Sequence, residues 1–471
     1  MSEPRRRRRS RTERATARAA AAAGGPGPAG ALATDTVHEG DATPGADVAV
    51  APDDTVEEEP AGPPLEVLAE PRDGIPAVVS EADALREVTG ALARGTGPLA
   101  VDTERASGYR YGQRAYLVQL RREGAGTVLI DPVALPDLAP LGEALRDVEW
   151  VLHAATQDLP SLAETGMRPA ALFDTELGAR LAGLPRVGLA AVTEHYLGVT
   201  LAKEHSAVDW SQRPLPEDWL RYAALDVELL AQLRDRLAED LEQQGKLAWA
   251  RQEFAALAAF EPPSRADPWR RVSGMHKVRN RRATAAVREL WHARDRIARE
   301  KDVAPGRVLP DATLIDLAVR APLTAAQLTA AGAVESGHAR ARRAQQGLQR
   351  HQHHWLEAIR EATALPEGQL PEATRPAEGP PPARAWADRD PVAAARLARV
   401  REELAALSQR VAVPVENILT PESLRRVLWQ PPGPGDEESV DAALATLGAR
   451  PWQRELVVPL VVAALAEHPR D

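Results

Sequence analysis

Four short apolar runs govern what the first half of this chain can fold into: PLAVDT (98–103), YLVQL (116–120), TVLIDP (127–132) and VEWVLHA (148–154). Each is shorter than a typical helix and rich in branched or aromatic residues, so each predicts a strand. Segments of helical period lie between and after them. EADALREVTGALARG (81–95) is one, and a longer one runs from about 216 to 245 with apolar residues at 220, 223, 227, 230, 233, 237 and 241. Pro216 opens that stripe, and Gly245 with Lys246 closes it. Strands interleaved with helices predict an α/β domain, a mixed sheet with helices on its faces.

After EPPSRADPW (261–269) the strand signals stop. TAAVRELWHARDRIAREKD (284–302), DATLIDLAVR (311–320) and a stretch near 338–362 predict one helical unit. A second contains ARLARVREELAALSQR (395–410), ESLRRVLW (422–429) and LVVPLVVAALA (456–466). The two share a pattern: AREKDVAPGRVLPDATL (298–314) and SQRVAVPVENILTPESL (408–424) both run helix, turn with proline, apolar pair, next helix. The expected organisation is a tail over 1–66, an α/β domain over 67–262, a helical domain over 281–363, a proline-dense linker over 364–390 and a second helical domain over 391–471.

Composition narrows the chemistry. There is no cysteine, which excludes disulfides, thiolate zinc sites and cysteine nucleophiles. LVVPLVVAALA is too short to span a bilayer and carries a proline, so it reads as a core helix and no membrane partner is expected. The N-terminal RRRRRSRTERATARAAAAAGG lacks a leucine-rich segment and reads as a disordered basic tail of a cytoplasmic protein. The net charge of −10 is misleading, because residues 38–70 hold ten acids and no Lys or Arg. Between 264 and 301, twelve Lys and Arg face four acids, a local charge of +8 suited to a polyanion.

Asp102 and Glu104 end the first strong strand, two apart and therefore on one face. Such a pair alone is usually a surface feature. Here HAATQDLPSL (153–162) sets Asp158 at a helix start just after a strand, and YAALDVELL (222–230) sets Tyr222 and Asp226 four apart on one helical face. Four hard oxygen ligands suit Mg²⁺ or Mn²⁺, and a pair of such ions can flank a phosphodiester. A divalent cation is what would make the acid pair tolerable.

These residues carry a family resemblance. VDTE, HAATQDLPSL and YAALDV resemble the three motifs of the DEDD exonucleases, and the tyrosine four before the last acid resembles the DEDDy branch. YLVQL, LIDP, DTELGARLAG (174–183), VGLAAVTEHYLGVTL (187–201) and DWSQRPLPEDWLRYAALDV (209–227) are similar to the ribonuclease D family in particular. The helical domain at 281–363 resembles an HRDC domain, and the last domain a diverged second copy. The resemblance implies a ribonuclease H-like α/β exonuclease fold followed by two all-α HRDC-type domains. It implies that Asp102, Glu104, Asp158 and Asp226 hold two divalent ions and that Tyr222 orients the attacking water. The implied reaction releases nucleoside 5′-monophosphates from RNA with a free 3′ end, tRNA precursors foremost. The stretch after Glu104, RASGYRYGQRAY, departs from the family pattern in being rich in arginine.

Candidate contacts to nucleic acid are Arg105, Arg110 and Arg114 after the first motif, Lys203 in LAKEHSAVDW, and Lys277, Arg279, Arg281 and Arg282 in the basic stretch 270–288. A solvated loop is the competing reading of the three arginines and a solvated helix face that of the basic stretch, while Lys203, between two helices on the expected active-site side, ranks above the arginines. HQHH (351–354) lies on a polar helix without a partner cluster, and Trp291 and Trp355 sit at core spacing rather than as stacking platforms. Two alternatives stay open: the same site acting on single-stranded DNA, and a silent nuclease fold serving as a nucleic-acid-binding scaffold.

Overall fold

A computed structural model describes residues 66–201, 208–262, 266–331, 338–373 and 379–468, with side chains undescribed at 331–343. The N-terminal tail and Lys203 lie outside the described residues. The central sheet has six strands: β2 (Val78–Val79), β5 (Gly126–Ile130), β4 (Ala115–Glu123), β3 (Thr96–Arg105), β6 (Trp150–Leu152) and β7 (Leu172–Asp174), in that spatial order. β4 runs antiparallel to β3 and β5, and the remaining neighbours are parallel. A separate parallel pair joins β1 (Glu66–Leu68) to β8 (Val199–Leu201). The mixed sheet flanked by helices is the α/β architecture expected from the sequence.

β3 lies inside the sheet, paired on both sides. Leu99, Ala100 and Val101 are fully buried between β4 and β6, and helices close over the sheet. The helix Glu217–Glu228 crosses β3, β4 and β5, burying Ala223, Ala224 and Val227. Small residues on this face let the helix lie close to the strands.

The stripe from 216 to 245 is two helices, Glu217–Glu228 and Leu230–Gln243, joined at Leu229. The first crosses the sheet, while the second touches β3 and β6 and packs mainly against the helices Thr175–Ala182 and Leu189–Leu197. Glu228 is drawn into the interior 3.3 Å from Arg121. Both segments bury an apolar face, so the periodicity runs through the joint without marking it.

The first helical unit is built from Arg281–Glu300, Pro305–Val308, Asp311–Arg320, Ala325–Ala331, His338–Arg350 and Gln352–Ala364. Leu290, Ile297, Leu314, Leu317, Trp355 and Ile359 form its core. It belongs to the same compact body as the sheet domain. The last helical unit runs from Pro391–Val411 to Pro451–Glu467, with Val457, Val461 and Ala464 buried on its final helix. The shared pattern has a shared backbone: Asp302 and Ala412 both adopt φ +47, and each precedes a short helix, Pro305–Val308 or Val415–Ile418. Trp355 and Trp386 are fully buried and Trp269 nearly so, which makes them core residues. Among the described residues no helix is long and apolar enough to cross a membrane.

One contact in the first helical unit leaves no room for a side chain. A Cβ at Gly347 would collide with the Val308 carbonyl oxygen, which is backbone and cannot swing aside. Gly347→Ala is expected to cost about 2–3 kcal/mol by forcing the two helices apart. Thermal unfolding checks this, and an unchanged transition would contradict the close packing.

Candidate active site

Parallel neighbours deliver their following loops to the same end of a sheet. β3 ends in Asp102 and Glu104, and the chain leaving β6 beside it reaches Asp158 within one turn. That turn is tightly held. Ala154 adopts φ +60, and the buried Asp174 carboxylate accepts from the Ala154 and Ala155 amides at 3.2 and 2.8 Å. The same carboxylate caps the helix Thr175–Ala182 through the amides of Glu176 and Leu177. Asp174 therefore fixes the segment that carries Asp158, a role sequence reasoning missed because an Asp before a helix reads as a simple cap.

The helix Glu217–Glu228 brings the fourth acid. Oxygens of Asp102, Glu104 and Asp226 lie within 4.8 Å of one another, the only such metal-ligand set among the described residues. Asp158 stands beside them, 4 % exposed, its Oδ1 accepting from Thr103 Oγ1 at 2.8 Å. Thr103, between the two strand acids, thus ties β3 to Asp158 through its other face. Ser161 supports the arrangement, its hydroxyl 3.1 Å from Thr103 Oγ1 and donating to the Asp158 carbonyl.

Crowding and loss of water set the electrostatics. Asp102 and Glu104 titrate well above the carboxylate range, first because they are desolvated and then because neighbouring carboxylates repel their charge. Burial pushes Asp158 up to about 6, against the Thr103 hydrogen bond and the Arg105 charge. Asp226 rises to about 7, chiefly from desolvation, despite a hydrogen bond from Tyr222. Tyr222 is itself pushed upward by burial and by the charges of Asp226, Glu104 and Asp102, so its hydroxyl keeps its proton. Hard oxygen donors in this spacing are a donor set that fits divalent cations.

A cavity of about 400 Å³ opens beside this cluster, lined among others by Glu104, Arg105, Ser107, Gly108, Tyr109 and Gln113. Arg105 ends β3 half-buried. Arg110 instead donates to Ser211 Oγ at 2.7 Å and pairs with Asp302 at 3.6 Å, and Arg114 pairs with the same Asp302 while stacking 4.7 Å over Tyr116. Arg281 donates to the Leu370 carbonyl, and Arg282 to the carbonyls of Ala362 and Thr363 and to Glu367. Lys277 and Arg279 are exposed. His351 is buried with its Nε2 3.3 Å from Lys301 Nζ.

Comparison with known proteins matches this geometry. Residues 76–242 match a family described as 3′-5′ exonuclease, 283–346 the HRDC domain, and 379–465 a 3′ to 5′ exonuclease C-terminal domain. The fold and its acidic strand-end cluster are those of a 3′–5′ exonuclease. Ribonuclease D of Gluconacetobacter diazotrophicus is 36 % identical over 298 residues, covering 61 % of this chain and 72 % of that one. A crystal structure of a protein from Bifidobacterium adolescentis is 41 % identical with a TM-score of 0.76, covering 86 % of this chain and all of that chain (100 %). Escherichia coli ribonuclease D, titled an exoribonuclease involved in structured RNA processing, is 26 % identical with a TM-score of 0.62, covering 84 % and 99 % of the two chains. The chain belongs to the ribonuclease D family.

The raised acids predict a pH dependence. Asp158 and Asp226 titrate at about 6 and about 7 in the folded protein, against 3.8 for a free Asp. A raised carboxyl pKa contributes stability that is complete below about pH 4 and is lost as pH climbs through about 7. Under chelation, urea midpoints will fall across that window, and Asp226→Asn will flatten the fall. A flat wild-type profile would contradict the burial of these charges.

Proposed function

We propose that this exoribonuclease removes nucleotides singly from the 3′ ends of structured RNA, tRNA precursors among them, using two divalent ions held by Asp102, Glu104, Asp158 and Asp226. The observation that carries the reading is the convergence of three carboxylates within 4.8 Å, with Asp158 anchored alongside by Thr103. Buried mutual repulsion on this scale calls for cations, and hard oxygen donors favour Mg²⁺ or Mn²⁺. When bound, such ions would lower the pKa of water and neutralise charge developing on the leaving oxygen.

The chain's own residues supply the rest. Tyr222 donates a hydrogen bond to Asp226, which leaves its oxygen lone pairs free to accept from, and so orient, the attacking water. Because its pKa is raised, it positions water rather than deprotonating it. Water adds to phosphorus, the P–O3′ bond breaks, the nucleotide departs as a 5′-monophosphate, and the shortened strand keeps a 3′-hydroxyl. Arg105 lines the cavity within electrostatic reach of Asp102, Glu104 and Asp158, a place from which a guanidinium can meet a non-bridging phosphate oxygen. Lys277 and Arg279, exposed on the approach to the first helical unit, are suited to phosphates of the RNA body.

5′-Labelled RNA with free or blocked 3′ ends, incubated in Mg²⁺ or Mn²⁺, tests the reaction. A ladder shortening only from free ends is expected, with matched DNA degraded more slowly. Asp226→Asn should lower mononucleotide release about a thousandfold, a loss typical of removed transition-state electrostatics, while RNA binding stays near wild type. Hydrolysis by that variant at the wild-type rate would rule out the site.

Arg105→Met should separate two effects of opposite sign. The rate should fall about tenfold through loss of a phosphate contact. The Mg²⁺ concentration for half activity should fall as well, because a positive charge beside the acids has gone. No change in either quantity would return Arg105 to a solvated role.

A further inference from the structure

The loop 106–114, which joins β3 to β4 and walls the cavity beside Glu104, starts on the sheet domain, where Ala106 is buried and Tyr109 packs on the apolar cluster of Tyr116, Leu117 and Trp210. Within the loop, the Tyr109 and Arg110 amides donate to the Ala106 carbonyl, and Ser107 Oγ donates to Gln113 Oε1 at 2.7 Å. Arg110 reaches Ser211 in the sheet domain. An exposed hairpin loop of this length is ordinarily mobile.

A second set of anchors comes from the first helical unit, nearly two hundred residues later in the chain. The Ala304 amide donates to the Tyr109 carbonyl at 2.9 Å, and Arg307 Nε to the Gly108 carbonyl at 2.7 Å. The Arg307 guanidinium also sits 4.2 Å over the Tyr109 ring. The Tyr111 hydroxyl donates to Asp295 Oδ1 at 2.9 Å and accepts from Arg299, and its ring packs on the core of the helical unit. Asp302 pairs with both Arg110 and Arg114. Gly108 and Tyr109, whose carbonyls are held, are among the residues that line the cavity.

We propose that the first helical unit is a structural part of the nucleotide pocket: its 302–307 turn and the Asp295–Arg299 face clamp the loop 106–114 into the wall that receives the 3′-terminal nucleotide. This rests on the proposed catalytic site, and it assigns the helical unit a task separate from binding the RNA body. Ala304, Arg307 and Asp295 are positioning residues acting through Tyr109, Gly108 and Tyr111, and Asp302 acts through Arg110 and Arg114. Asp302 is suited to it because its left-handed backbone turns the chain so that the following amide of Ala304 points at the loop.

Substrate length separates the two tasks. A trinucleotide is too short to occupy the pocket and the helical surface together, so a unit that only held the RNA body would leave trinucleotide turnover unchanged. Arg307→Ala and Tyr111→Phe, the latter keeping the ring in its core, should each lower kcat/KM on a trinucleotide about tenfold, the scale of a small misplacement in a pocket. The loss on a long structured RNA should be by a similar factor, and Arg307→Lys should restore little because it lacks the Nε donor. Hydrogen exchange of the 106–114 amides, read in the absence of RNA and metal, should quicken about tenfold or more in both variants, with melting temperatures near wild type. Unchanged loop exchange would overturn the clamp whatever the activity, as would unchanged trinucleotide turnover alongside weakened binding of long RNA. If wild type failed to cleave either substrate, the catalytic reading would fall, while the exchange result would still decide the clamp.

Discussion

Repulsion among carboxylates at the end of β3 is the constraint around which this domain is arranged. Asp102, Glu104 and Asp226 crowd together with Asp158 beside them, and all four titrate above their ordinary range because water has been withdrawn and like charges remain. A fold would shed such a cluster unless its surroundings held it rigidly and a ligand relieved it. The supports are specific: Thr103 holds Asp158, Asp174 holds the turn before it, and Tyr222 donates to Asp226. None of these removes the excess negative charge, and Arg105 offsets it only in part. The proposed divalent ions complete the balance.

The same end of the sheet carries the substrate wall. A loop that must be open enough to admit a strand end is poorly able to order itself. Here its carbonyls are satisfied by the helical unit that follows, so the chemistry sits on rigid strands and the pocket rim on a borrowed support. Packing across this junction is part of one compact body rather than a flexible tether.

Much of this was legible from local pattern. The short apolar runs gave β3 to β6, and the acids at their ends were recognisable because strand alternation and helical spacing are short-range rules. The joint at Leu229 was not, since both helices it separates bury apolar faces and the stripe continues across it. Thr103 and Asp174 were invisible as supports because their partners are set by the parallel pairing of β3, β6 and β7. Arg110 and Arg114 looked like free cations for phosphate, and their shared partner Asp302 lies in another domain. Sequence spacing reports a face or a cap, while pairing between distant segments belongs to tertiary structure.

The central claim is that folding gathers these acids to hold paired cations. Diffraction from crystals soaked in Mn²⁺, with anomalous scattering recorded at the manganese edge, tests it most directly. The expected result is manganese ligated by Asp102, Glu104 and Asp226, with a second ion that takes Asp158 as a ligand. Manganese bound only elsewhere on the protein, or this cluster left empty at saturating metal, would contradict it.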